Sequence, residues 1–397
     1  MNSLLIKNVR LVIDDSIVEN GAVLCKDGKI VNVYTDSTDV SNVEADNVYD
    51  GANYYLAPGF IDLHIHGAKN ILAEAGPEEL KELTRILPQY GVTGFLPTIC
   101  PRPSLEEDVE LLKRLSTVSP EGTAILGFMM EGHFLSLTGA IKSVGGDVDP
   151  IEKAEALIKA AAPYNLVFAI SPEFKGIVDV LPILTRSGMP AFITHTFATD
   201  KQTLAAIEAG AKHATHFYNV FPYGQDKEGG VRRSGAIEAI FSREDCTVDF
   251  ILDGEHVEPL IVKMALVCKG KDSVCLITDA NINAGMPPGR YEGGIGNTPF
   301  VVAYEGGPAR NAEEGPKKGG LIGSGLTMNL AVKNAINMLG VNLCQAVRMA
   351  STNPARVIKV DNKKGKIKVG YDADMVLLDE NCNVQACWVM GDCKYEK

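Results

Sequence analysis

Eight short apolar runs, each the length of a strand, recur through the middle of the chain: "APGFIDLH", "VTGFLPT", "TAILGFMME", "LVFAISPE", "PAFITH", "AKHATH", "TVDFILD" and "SVCLITD". Helical patterns separate most of them. In "PEELKELTRILPQYG", for example, Leu80, Leu83, Ile86 and Leu87 line one face. Strands that are apolar almost without interruption are covered on both sides, and their alternation with helices makes the sheet parallel. Eight such units predict a (β/α)8 TIM-like barrel, with a doubly wound open sheet as the alternative. The two ends have another rhythm. "LLIKNVRLVI" and "GAVLCKDGKIVNVYT" at the start, and "GKIKVGYDADMVLLDENCNVQACWVMGD" at the finish, alternate apolar and polar residues around turn signals. Both chain ends are therefore expected to form one small β-sandwich, residues 1–55 and 355–397, beside a barrel of residues 56–354.

A chain of 397 residues can bury a large core, and 46% hydrophobic with 22% charged residues is ordinary for a globular enzyme. The net charge of -12 repels polyanions and no basic stripe offsets it, which argues against a nucleic-acid partner. The start, "MNSLLIKNVRLVIDD", lacks the unbroken apolar core of a signal peptide, and no run reaches membrane-spanning length. No membrane partner and a cytoplasmic location are expected. Nine cysteines without a C-x-x-C pair read as reduced thiols.

In such barrels chemistry collects at the C-terminal ends of the strands. There stand His64 and His66 after run one, Glu131 after run three, His195 after run five, His216 after run six, Asp253 after run seven and Asp279 after run eight. Side chains two apart in an extended strand point the same way, so His64 and His66 face one spot. Alone, that pair is also explained by ordinary hydrogen bonds at a strand end, and Asp279 by a helix cap ahead of "ANINAG". Together at one rim, imidazoles and carboxylates point to a divalent ion, zinc first, with iron, manganese or cobalt as alternatives. His213, before its strand's end, and Asp253, in a Gly-containing turn, read as structural. His256, in "LDGEHVEP", stands where it can reach a substrate from the rim.

With these residues in place the chain resembles the amidohydrolase superfamily and, within it, the N-acetylglucosamine-6-phosphate deacetylase family. The resemblance covers nearly the whole length, through "APGFIDLHIHG", "EGHF", "ITHTFAT", "ATHFYNVF", "DGEHVEP", "LITDANINAG", "IGSGLTMNLAVKN" and the tail "GKIKVGYDADMVLLD". It implies metal-dependent hydrolysis of the N-acetyl amide of an amino-sugar phosphate, N-acetylglucosamine 6-phosphate giving glucosamine 6-phosphate and acetate. By it, Glu131, His195 and His216 hold the main ion, and His64 and His66 a second, so one or two ions are expected. Asp279 matches the catalytic aspartate, His256 a substrate-contacting histidine, and Asn219 and the Val220 backbone the sugar-phosphate contacts. Of two Gly-rich stretches, "GGIGNTP" and "LIGSGLT", neither stands where a phosphate loop requires, and the second lines the substrate pocket by resemblance. A homodimer is implied, because the family's phosphate contact crosses between subunits.

Several positions depart from the family pattern. His133 stands where a proline is usual, Ile141 where a histidine is common, Phe197 where a polar residue is usual, and Lys227 where an arginine reaches the phosphate. Lysine is a point charge without the guanidinium fork, and Arg232, with Arg233, is the nearby substitute. These departures keep other substrates open: N-acetylgalactosamine 6-phosphate or an N-acyl amino acid, then a deaminase reaction. A non-catalytic binding protein of the same fold stands last, since the ligand set is complete.

Overall fold

The eight apolar runs do close into a parallel barrel in the computed structural model, which describes residues 3–36, 40, 42–137, 148–222 and 229–397. Its strands are β1 (Phe60–Ile65), β2 (Val92–Ile99), β3 (Phe128–Phe134), β4 (Leu166–Ile170), β5 (Phe192–Ile193), β6 (His213–Ala214), β7 (Thr247–Ile251) and β8 (Val274–Ile277). Each pairs in parallel with the next along the chain. The ring closes just past β8. There Ile65 bridges Ala280, the Asp279 N–H donates to the His64 carbonyl at 2.8 Å, and the His66 N–H to that of Ala280 at 3.0 Å. His64 on β1, His66 just past it and Asp279 after β8 are thus locked together by backbone.

A helix follows each strand: α1 (Pro77–Ile86), α2 (Leu105–Leu115), α3 (Pro150–Ala161), α4 (Ile177–Leu184), α5 (Asp200–Ala209), α6 (Ala236–Ser242), α7 (Pro259–Lys269) and α8 (Met328–Asn334). Leu80 and Leu83 of α1 are fully buried, as their spacing predicts. Start signals in the sequence act as caps: Ser104 accepts from the Glu107 N–H, and Thr199 forms a capping box with Gln202. Phe95, Phe128, Phe168, Phe192 and Phe250 knit the strands and helices into one core. Each carries enough buried area that replacement by alanine costs about 3–5 kcal/mol.

The two ends meet as expected. Five strands from the start (Ser3–Ile13, Ser16–Lys26, Lys29–Tyr34, Asn47–Asp50, Tyr55–Pro58) and three from the finish (Met375–Leu378, Val384–Val389, Asp392–Glu396) build one sheet. They join where Met375–Leu378 pairs antiparallel with Tyr55–Pro58. Leu11, Val23, Leu56, Met375 and Trp388 give this layer a core of its own. Tyr55–Pro58 then passes through Gly59 directly into β1. A side chain at Gly59 would lie 2.2 Å from Thr93, so only glycine lets the two layers approach.

Between β8 and α8 the sequence reading named no strands, and the structure has three among the described residues. Gly289–Tyr291, Phe300–Val302 and Arg310–Asn311 form a small antiparallel sheet. Its apolar cluster of Ile282, Ile295, Phe300, Val302 and Ile322 also takes in Cys100 from the end of β2. The insertion is tied to the loop after β7, because Tyr304 and Arg310 both donate to the Glu255 carboxylate at 2.7 Å. No helix among the described residues is long and apolar enough to cross a membrane.

Candidate active site

Six side chains from five strand ends form one cluster, with four histidines around Glu131. Its Oε2 lies 3.3 Å from both His64 Nε2 and His66 Nε2, and its Oε1 lies 3.3 Å from His195 Nε2 and 3.1 Å from His216 Nε2. Asp279 Oδ1 completes the first pair, 3.3 Å from His66 Nε2 and 3.6 Å from His64 Nε2, and those two nitrogens are 3.3 Å apart. Nitrogen and oxygen donors about 2.1 Å from one ion sit about 3.4 Å from each other in a tetrahedron. The spacings therefore match ligand edges, and one carboxylate divides its oxygens between two donor sets. The donor chemistry fits a borderline divalent ion, and the cluster could hold one or two.

The backbone is bent to make this possible. His195, His216 and Asp279 have φ of 48°, 33° and 46°, a left-handed conformation that costs a non-glycine residue about 1–3 kcal/mol and collects at functional sites. The surroundings enforce it. Asp249 accepts from the His216 N–H at 2.5 Å, and its other oxygen is 2.8 Å from His213 Nε2. His213 is thus structural, as expected, but its task is to brace the carboxylate that holds a ligand's backbone. Asp62 does the same beneath β1, accepting from the Thr278 hydroxyl at 2.6 Å; burial pushes its carboxyl up to about 7 against that support.

Charge in the cluster is unbalanced. Burial works to raise the Glu131 carboxyl, yet His64, His195 and His216 hold it well below the usual carboxylate range, and His64 and His66 likewise hold Asp279 down. Burial opposes protonation of His216, but Glu131 pushes it up to about 9. Burial wins at His195, which lies below its ordinary value. A field that keeps carboxylates ionised and draws protons onto their neighbours favours added positive charge at the centre, where an ion would sit.

A cavity of about 320 Å³ opens over the cluster, lined by His66, Glu131, His195, His216 and Asp279 and also by Asn219, Val220 and His256. All eight are sequence candidates. Leu321 and Gly323, both from "LIGSGLT", line it too, while Ile295 from "GGIGNTP" was missed. Its signal was absent because an apolar residue in a Gly-rich loop looks the same over a pocket or in a core. Asp253, read as structural, stands against a cavity residue. Its Oδ2 is 2.6 Å from His256 Nδ1 and its Oδ1 accepts the N–H groups of Glu255 and His256 at 2.9 Å, so it orients His256 toward the cavity. The spacing Asp-x-x-His was the available signal.

Other candidates lie elsewhere. His133 faces away from the cavity, with Nε2 2.9 Å from buried Asp108 of α2; the pairing of β3 with β4 shifts register between Met130 and Phe134, so alternation fails there. Gly132 permits this, since a side chain there would lie 2.0 Å from Pro101. Arg232 is largely exposed, 3.9 Å from Glu238, and lines a separate recess with Arg233, Thr196 and Phe221. Phe197 is exposed beside His195. Lys227 and Ile141 lie outside the described residues. A cavity of about 340 Å³ on the opposite face of the barrel gathers Lys212, Asp245, Asp272 and Arg356, but these pair with each other and no donors converge.

Residues 301–394 match the family model described as Amidohydrolase family. An N-acetylgalactosamine-6-phosphate deacetylase of Escherichia coli O157:H7 is 32% identical over 342 residues, covering 85% of this chain and 86% of that protein. An N-acetylglucosamine-6-phosphate deacetylase of Lysinibacillus sphaericus is also 32% identical, over 390 residues covering 96% of this chain and 94% of that one. Among solved structures, an N-acetyl-D-glucosamine-6-phosphate deacetylase mutant from Mycobacterium smegmatis, in complex with N-acetyl-D-glucosamine-6-phosphate, superposes with a TM-score of 0.85 at 26% identity, covering 99% of this chain and 100% of that chain.

Proposed function

We propose that this chain, which belongs to the N-acetylglucosamine-6-phosphate deacetylase family of amidohydrolases, hydrolyses the acetamide of N-acetylglucosamine 6-phosphate to acetate and glucosamine 6-phosphate. The observation that carries the reading is the convergence of four imidazoles on the two oxygens of Glu131 at ligand-edge spacing, with Asp279 against the His64 and His66 pair. In this reading Glu131, His195 and His216 hold one divalent ion, zinc by preference, and His64 and His66 hold a second with Asp279 beside it.

When bound, such an ion lowers the pKa of a coordinated water to about 7 and polarises the amide carbonyl. The chain's own groups do the rest. Asp279, ionised, takes a proton from the attacking water and delivers it to the departing nitrogen, acting as base and then acid. His256, aligned by Asp253, faces the carbonyl oxygen as charge develops there. Asn219 and the Val220 backbone orient the sugar; both residues line the cavity, and Val220 has φ of 59°, a rare conformation for a β-branched residue. Ile295 and Leu321 add apolar surface to the cavity wall, which in this reading suits the acetyl methyl. We further propose a cytoplasmic homodimer in which Lys227, or Arg232 in its place, meets the phosphate across the subunit boundary; that all nine cysteines are unpaired supports a reducing compartment.

Acetate release by the zinc-loaded protein tests the reading. N-acetylglucosamine 6-phosphate is expected to be cleaved efficiently and its unphosphorylated parent poorly. The equal 32% identity to an N-acetylgalactosamine-6-phosphate deacetylase favours that epimer as the second reading, and faster release from it would replace the first. Failure with both phosphorylated sugars, metal being bound, would reject the proposal.

A further inference from the structure

Three of the four imidazoles in the cluster have a partner behind the second nitrogen, and the partner differs. His64 Nδ1 lies 3.1 Å from Thr215 Oγ1; His216 Nδ1 lies 3.2 Å from Thr194 Oγ1 and 3.3 Å from the Asn219 carbonyl. Behind His66 stands sulfur, with Cys100 Sγ 3.8 Å from Nδ1. Cys100 is held there from two sides. Its N–H donates to Glu74 Oε2 at 2.5 Å, Arg102 grips the Glu74 carbonyl at 2.6 Å, and its side chain belongs to the apolar cluster of Ile282 and Ile295 under the insertion. His66 turns its other nitrogen, Nε2, toward Glu131 and Asp279, 3.3 Å from each. A lone pair on Nε2 available to an ion requires the ring proton on Nδ1, and the atom in front of that proton is the sulfur.

We infer that Cys100 is a positioning residue for the ion at His64 and His66: its sulfur accepts the Nδ1 proton of His66 and so fixes the tautomer and orientation of that ligand. The inference rests on the reading above, in which those histidines hold an ion of their own. Partners of this kind behind a metal-bound histidine change affinity by about 10–100-fold when removed. Oxygen usually fills the place; here a thiol does, and it couples the ligand to the underside of the insertion whose Ile295 lines the cavity.

Titration of the metal-free protein with Co²⁺, read by visible absorption and by metal content after desalting, separates the two ideas. Wild-type protein is expected to take up two ions and the double variant His64→Asn, His66→Asn to lose one of them. A wild-type uptake of one ion, or a double variant that loses none, overturns the two-ion reading and this inference with it. Given that loss, Cys100→Val, of similar volume but without an acceptor, is expected to bind the Glu131–His195–His216 ion unchanged and the other about 10–100-fold more weakly. Cys100→Ser should recover part of the difference, with unchanged far-ultraviolet circular dichroism in all variants. Wild-type affinity for both ions in Cys100→Val overturns the inference alone. So does a thiolate-to-cobalt charge-transfer band in the wild type that Cys100→Val abolishes, since Cys100 would then be a ligand.

Discussion

Two ionic clusters in this molecule have opposite characters. In the sheet built from the chain ends, Lys364 Nζ lies 2.8 Å from Asp372 Oδ2 and 2.6 Å from Asp374 Oδ2, Lys29 meets the other Asp372 oxygen at 2.5 Å, and the Met390 N–H donates to Asp374 at 2.8 Å. Two cations face two anions, and every carboxylate oxygen has a donor. At the barrel rim the atoms that meet are imidazole nitrogens and carboxylate oxygens, with no lysine or arginine among the described residues lining the cavity. The first cluster is completed by its own chain and is structural. The second is completed only by positive charge from outside, and that incompleteness marks it as functional.

Breaking the rim cluster should cost most. Glu131→Gln removes the carboxylate both donor sets share, and activity is expected to fall by about four orders of magnitude or more together with metal content, which elemental analysis of the desalted protein checks. Asp279→Asn should retain metal at the Glu131–His195–His216 position while turnover drops by about 10²–10⁴-fold, the range for losing a positioned general base. Near-normal turnover would remove Asp279 from that role.

The terminal cluster should respond in stability and not in chemistry. Lys364→Met strands Asp374 without its cation in the interior and is expected to cost about 3–5 kcal/mol in denaturant unfolding, with kcat of the folded fraction unchanged. A matching loss of kcat would mean the two clusters are coupled. The smallest effect tests the support behind the cavity: Asp253→Asn should lower kcat by about 10²-fold, comparable to the loss of one oxyanion donor, with full metal content. Unchanged kcat would return Asp253 to a purely structural turn.

How much of this was legible in sequence varies residue by residue. The eight runs, the paired ends and the positions of His64, His66, Glu131, His195, His216 and Asp279 could be read because strand period and strand-end placement are local properties. Asp253 and His213 were both set aside as structural, and they part ways only in three dimensions: one touches His256 at the cavity, the other braces the strand beneath His216. His133 stands two residues after the candidate ligand Glu131. A shifted register turns it to Asp108 on the outer side of the barrel, and no pattern of apolar residues announces such a shift. The insertion after β8 stayed hidden because its strands are two or three residues long, too short to establish a period.

By itself the sequence determined which residues are apolar, where they recur and which chemical groups stand where each run ends, and this suffices for a barrel, an end-to-end sheet and a list of donors. Only the tertiary structure decided that Glu131 splits its oxygens between two sets of histidines, that Asp253 stands behind His256, and that Cys100 stands behind His66. Those facts join residues 3 to 85 positions apart, and the hydrogen bonds and ring closure that fix their distances exist only once the barrel has shut.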